Sequence, residues 1–149
     1  AEIKRFVSTF KTKYPVEFIE GEYDPKKFYE IARGLEDEKE GGKRCRKCFE
    51  LRLGETARLA KEMGFDYFTT TLTISPKKDE QVLNVVAKEQ GEIYGVKALP
   101  SDFKRKGGNK RSIELSAEYN LYRQNYCGCA YSKREAEERE AKKSEGATP

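Results

Sequence analysis

FDYFTTTLTI, residues 65–74, is the stretch on which the reading of this chain turns. It is dense in aromatic and β-branched residues, as a buried strand is. Ser75-Pro76 after it predicts a helix start. Val82, Val85 and Val86 then point inward and Gly91 closes the helix. Residues 93–99 supply a second short strand. Moving upstream, residues 45–63 carry Phe49, Leu53, Ala57 and Ala60 on one side of a helix that stops at Gly64. Asp24-Pro25 reads as an N-cap and first helical residue, with Phe28, Ile31, Ala32 and Leu35 as the buried stripe. Val16, Phe18 and Ile19 mark a short strand over residues 15–21. Ile3, Phe6, Val7, Phe10 and Tyr14 form one helix face ended by Pro15. Downstream, residues 101–110 are a basic, Gly-containing loop and residues 111–124 a further helix.

The predicted order is therefore α-β-α-α-β-α-β-α. Such alternation predicts an α/β fold with a mostly parallel sheet flanked by helices, as in Rossmann-like and nucleotide-hydrolase-like domains. A parallel sheet also calls for a strand before the first helix, and none is present in a chain beginning at Ala1. A preceding segment is therefore expected. Residues 1–132 read as one metal-binding domain and residues 133–149 as a charged tail.

The chain has 149 residues, 38% of them charged, with a formal net charge of +4. That length suits one domain with a sizeable core. No apolar run reaches the roughly 18 residues of a membrane span, and no leader sequence is visible, so a cytoplasmic protein is expected. Lys and Glu dominate while His and Trp are absent. This is a bias of hyperthermophile proteins, so net charge alone says little about partners.

The four cysteines come as two tight pairs, Cys45/Cys48 in a CxxC and Cys127/Cys129 in a CxC, separated by 78 residues. Each pair is a two-point chelate, which is what a shared metal or cluster requires. In the CxxC, a helix start presents free N–H groups that favour thiolate. In the CxC, the two sulfurs cannot share a helix face, so the segment must turn, and Gly128 permits the dihedrals needed. The spacing also admits a thioredoxin-like dithiol, a disulfide across the pairs, inert thiols, or a zinc staple of an RNA-binding module. Lys43, Arg44, Arg46 and Lys47 surround the first pair and offset the negative charge of an iron–sulfur site. They serve equally as a solvated basic face.

Lys104, Arg105, Lys106, Lys110 and Arg111 cluster around Gly107-Gly108 before a helix. Basic side chains and N-terminal N–H groups together suit phosphate. Tyr119, Tyr122, Tyr126 and Tyr131 follow and offer faces on which bases stack. Thr69, Thr70 and Thr71 sit at the C-terminal end of the predicted strand, where open α/β sheets bind ligands.

Taken together, RCRKC (residues 44–48), FTTTLTISPKK (68–78), FKRKGG (103–108) and YRQNYCGCAYS (122–132) resemble the QueH-type epoxyqueuosine reductases. The resemblance runs in order over nearly all of residues 21–132. It implies reduction of epoxyqueuosine to queuosine at the wobble position of tRNA, without cobalamin, using a [4Fe–4S] cluster, an adjacent mononuclear iron and an electron donor. It implies Cys45, Cys48, Cys127 and Cys129 as metal ligands. It further implies contact with substrate or tRNA through Arg44, Lys104, Arg105, Lys106, Lys110, Arg111, Thr70, Thr71 and Tyr126. A strand ending in adjacent cysteines belongs to that pattern, and residues 1–149 do not contain it.

Overall fold

The computed structural model describes residues 2–22 and 24–146. The chain divides into two compact units, one of Gly21–Glu114 and one joining Ala1–Glu20 to Leu115–Pro149.

In the Gly21–Glu114 unit, helix α2 (Pro25–Ala32) starts as expected, with the Asp24 carboxylate accepting from the Lys26 N–H and Pro25 in the first turn. Of its stripe, Ala32 is fully buried, while Phe28, Ile31 and Leu35 are half-buried. Helix α3 (Lys43–Glu62) is the longest element and begins two residues before the expected start. Phe49, Leu53, Ala57 and Ala60 are all buried on its inner side. Gly64 ends it, its N–H donating to the Lys61 carbonyl.

Strand β1 (Tyr67–Phe68) is much shorter than the ten residues expected. The chain leaves the sheet at Thr69 and turns through a 3-10 segment, Leu72–Ile74. The reason is polar. Thr69 Oγ1 donates to the Leu99 carbonyl, the Leu72 N–H donates to Thr70 Oγ1, and Thr73, fully buried, shares a hydrogen bond with Ser101 Oγ. The Thr70 hydroxyl closes a local turn in place of a ladder, while those of Thr69 and Thr73 tie the departing chain to residues 99–101.

Helix α4 (Glu80–Tyr94) begins at an Asp79 N-cap, whose carboxylate accepts from the Gln81 and Val82 N–H groups, rather than at Ser75-Pro76. Its inner face is Leu83, Val86 and Ala87; Val85, expected inside, is 50% exposed. Gly91 does not end the helix, which stops at the left-handed Gly95. Instead Gly91 is buried where α4 crosses the second strand, and a Cβ there would stand 2.5 Å from the Val96 carbonyl oxygen. It is kept small by close approach, not by a turn.

Strand β2 (Lys97–Ala98) pairs with β1 in parallel register, Tyr67 opposite Lys97 and Phe68 opposite Ala98. The parallel pairing is as expected. Among the described residues the sheet has two strands. The strand expected over residues 15–21 is coil, with Val16 and Ile19 about half exposed. The core of this unit gathers Phe49, Leu53, Ala57 and Ala60 from α3, Phe68, Leu83, Val86 and Ala87, and Val96. Helix α5 (Gly108–Glu118) follows a 3-10 turn, Arg105–Gly107, and ends six residues before the expected 124.

In the other unit, helix α1 (Glu2–Thr9) ends well before Pro15 and leaves Ile3 and Tyr14 exposed. Phe6 and Phe10 pack on Tyr119, with ring centroids 5.1 and 5.6 Å away. Arg5 donates to the Tyr119 and Asn120 carbonyls. Most of the expected tail is helix α6 (Ala130–Glu145), which buries Ser132 and Ala136.

Candidate metal centre

Gly42 is the N-cap of α3, so Cys45 lies in the first turn and Cys48 one turn further on the same side. Cys48 is buried and Cys45 half-buried. The Gly41 N–H donates to Cys45 Sγ at 3.2 Å, and the Lys43 N–H is capped by the Glu38 carboxylate at 3.0 Å. These two bonds fix the start of α3 and orient the Cys45 sulfur.

The second pair lies in the other unit. Gly128 has φ +110, so the CxC turns as its spacing requires. Cys129 is the N-cap of α6: its sulfur accepts from the Ser132 N–H at 3.4 Å. Both Cys127 and Cys129 are half-buried, and none of the four cysteines is in a disulfide. Each pair thus sits where a helix begins and supplies two soft donors. Among the described residues, neither unit by itself gathers three or more His, Cys, Asp or Glu side chains about a metal position.

The basic residues separate into two groups. Arg44, expected on a solvated or RNA-facing surface, is only 2% exposed. Its guanidinium donates to the carbonyls of Leu35, Glu36 and Glu38 and so holds the 35–42 loop against α3. Lys104 is also engaged within the fold. Its ammonium donates to the Glu80 carboxylate at 2.7 Å and to the Lys78 carbonyl at 3.0 Å. Arg105 pairs with Asp102 at 3.1 Å while remaining 76% exposed. Arg111 pairs with Glu114 at 3.3 Å. Lys106 and Lys110 are exposed and carry no ion pair among the described residues, Lys106 in the left-handed region at φ 53.

Of the threonines, Thr70 is half-buried, with its carbonyl accepting from Ser101 Oγ, and Thr71 is exposed just past β1. Ser101 is itself clamped by Asn84 through both its N–H and its carbonyl, each at 2.9 Å. Tyr126 is half-buried, Tyr119 is packed in the aromatic cluster, and Tyr122 is 75% exposed. Sequence reasoning passed over Asn84, Ser101 and the buried Lys78. Lone polar residues at helix and loop positions carry no periodic signal.

The Lys104 ammonium, donating to its carboxylate, holds Glu80 below the usual carboxylate range, with the Glu80 backbone N–H adding to the effect. A carboxyl whose folded pKa is depressed stabilises the fold above its unfolded pKa, and that stability is lost as pH falls through the folded value. Glu80→Gln is therefore expected to reduce stability at about pH 7 and to converge on the parent chain as pH falls through the folded pKa of Glu80. Urea denaturation across a falling pH series checks this.

The family described as epoxyqueuosine reductase QueH matches residues 2–135. The chain belongs to the QueH family. Family members to which it is similar include the epoxyqueuosine reductase QueH of Streptococcus pyogenes, 50% identical over 131 residues, covering 87% of this chain and 51% of that protein. The Staphylococcus epidermidis protein of the same name is 48% identical over 133 residues, covering 87% and 56%. The Thermotoga maritima protein is 38% identical over 124 residues, covering 81% and 65%. The chain therefore spans about half to two thirds of the length of these QueH relatives. Both thiol pairs, at positions 45/48 and 127/129, fall inside the region matched to the QueH family. No helix among the described residues is long and apolar enough to cross a membrane.

Proposed function

We propose that this chain forms part of an iron–sulfur-dependent oxidoreductase that removes the epoxide oxygen from epoxyqueuosine in tRNA, giving queuosine. The observation that carries this reading is a family match that includes two thiol pairs outside any disulfide, each at the start of a helix. Converting the epoxide to an alkene consumes two electrons and two protons and releases the oxygen as water. Cys45, Cys48, Cys127 and Cys129 would hold a [4Fe–4S] cluster and a neighbouring iron, which when bound would supply the electrons and a Lewis-acid centre. The reading needs an electron donor but not cobalamin, and it places the enzyme in the cytoplasm with tRNA as partner.

The chain's own residues bind and orient. The Gly41 N–H steadies the Cys45 sulfur, and the Ser132 N–H steadies that of Cys129. Thr71 and the exposed ring of Tyr122 are available to a nucleoside. Lys106 and Lys110 are available to phosphate, whereas Arg44 and Lys104 act as internal ties.

The decisive experiment is anaerobic purification of the full-length protein. Bound iron with acid-labile sulfide, and turnover of tRNA carrying epoxyqueuosine on addition of a chemical reductant, are the expected results. Zinc without sulfide, and no turnover, would replace the enzyme reading with a zinc-stapled RNA-binding module. A metal-free protein with a reversible Cys45–Cys48 disulfide would replace it with a dithiol oxidoreductase. For the RNA surface, the double variant Lys106→Gln/Lys110→Gln is expected to weaken tRNA binding. It should also lower the slope of log affinity against log salt by about 1.5. Filter binding across a salt series measures both, and an unchanged slope would take these two lysines out of the interface.

A further inference from the structure

Among the described residues Lys78 is the one buried lysine, 6% exposed, and none of the roles above uses it. Its ammonium donates to Glu40 Oε1 at 3.0 Å, in a pair whose side chains are only 5% and 16% exposed. It also lies 5.9 Å from the centre of the Phe49 ring. Its own backbone is fixed at both ends: the Lys78 N–H donates to the Ser75 carbonyl, and the Lys78 carbonyl accepts from Lys104. Lys78 is therefore an anchored arm reaching from the turn before α4 into the loop before α3.

Glu40 is the residue immediately before Gly41, whose N–H is donated to Cys45 Sγ. The loop is already held from the α3 side, where Arg44 takes the carbonyls of Leu35, Glu36 and Glu38. The last of these carbonyls is that of Glu38. Beyond it, the Gly42 N–H bonds back to the Lys39 carbonyl, closing a turn around residues 39–42. The outer side of that turn is fastened by the Lys78–Glu40 pair.

We propose that Lys78 is a positioning residue for the first thiol pair. Through Glu40 it fixes the Glu40–Gly41 peptide so that the Gly41 N–H faces the Cys45 sulfur. The inference rests on Cys45 being a metal ligand, but its test is made on metal-free protein and reads the local geometry alone. A low-dielectric ion pair is a strong tether for a loop that carries no secondary structure of its own.

The test compares metal-free full-length protein with Lys78→Met, Lys78→Arg and Glu40→Gln. Two local readouts are taken at one fixed pH: hydrogen exchange at the Gly41 amide, and iodoacetamide alkylation of Cys45 relative to Cys48 in the same helix. Lys78→Met is expected to speed exchange at Gly41 about tenfold, the loss of one hydrogen bond's protection. It should also change the Cys45 to Cys48 ratio, while amides of Leu53 and Ala57 keep their protection. Lys78→Arg, which keeps charge and donors, is expected to restore both readouts. Glu40→Gln, close to isosteric, is expected to give a smaller change in the same direction. Where Lys78→Met fails to fold, Glu40→Gln and Lys78→Arg decide the matter. An unchanged Gly41 exchange rate in any folded variant lacking the ion pair would overturn the proposal. So would a loss of protection spread evenly along α3. Failure of the iron–sulfur reading would instead appear as absent iron in the parent protein, with these local effects intact.

Discussion

Arg44→Met is expected to destabilise the Gly21–Glu114 unit by about 3–5 kcal/mol. Methionine fills much of the aliphatic volume but donates nothing. Three carbonyls, of Leu35, Glu36 and Glu38, then lose a charged donor in a site where Arg44 itself is 2% exposed. Hydrogen bonds to charged groups contribute about 1.5–3 kcal/mol each, and the part-exposed loop recovers some of that from water. Arg46 is the control. Its side chain is 42% exposed and pairs with Glu89 and Glu50, so Arg46→Met is expected to change stability by about 1 kcal/mol or less. Urea denaturation of the two variants separates these values. Weakened RNA binding by Arg44→Met at unchanged stability would instead restore the surface role that the sequence had predicted.

Cys129→Ser in the full-length protein is expected to abolish iron and sulfide binding, with little change in stability. Cys129 has two tasks in the structure. Its sulfur is a proposed ligand, and it also caps α6 by accepting from the Ser132 N–H. Serine is a good N-cap, so the substitution removes the soft donor and keeps the cap. Cys129→Ala removes both and is expected to cost about 1 kcal/mol of stability in addition to the metal. Cys127→Ala breaks the same chelate without touching the cap and should match Cys129→Ser. Iron, sulfide and visible absorbance of anaerobically prepared variants provide the comparison. Full metal content in Cys127→Ala and Cys129→Ser would remove this pair from the ligand set.

Two helices were legible in advance, α2 from its cap and α3 from its apolar stripe, whereas α4 starts at Asp79 and not at the Ser75-Pro76 read as its beginning. Asp24-Pro25 opened α2 as read, and the α3 stripe of Phe49, Leu53, Ala57 and Ala60 proved buried throughout. Strand lengths were not legible. Residues 65–74 have strand composition along their whole length, but the Thr70 hydroxyl closes a turn and those of Thr69 and Thr73 bond to Leu99 and Ser101, leaving a two-residue strand. β-propensity measures fit to a pleated, half-buried surface and is blind to such side-chain bonds. Gly91 was misread for a related reason. Glycine at a helix end and glycine under a crossing strand look the same in sequence, and only the nearby Val96 carbonyl tells them apart.

By itself the sequence determined the chemistry on offer: two thiol pairs, the turn at Gly128, a basic run and an α/β alternation, because residue type and spacing are local properties. Tertiary structure alone decided which charges are free to act. Arg44 and Lys104 read as surface cations like their neighbours, yet each is consumed by carbonyls or a carboxylate brought to it by the fold. Lys78, at the end of the 68–78 stretch, has no burial signal in the sequence and is buried against Glu40. Burial and pairing depend on residues distant along the chain, and a charge taken out of water must be met by a partner that only the folded chain supplies.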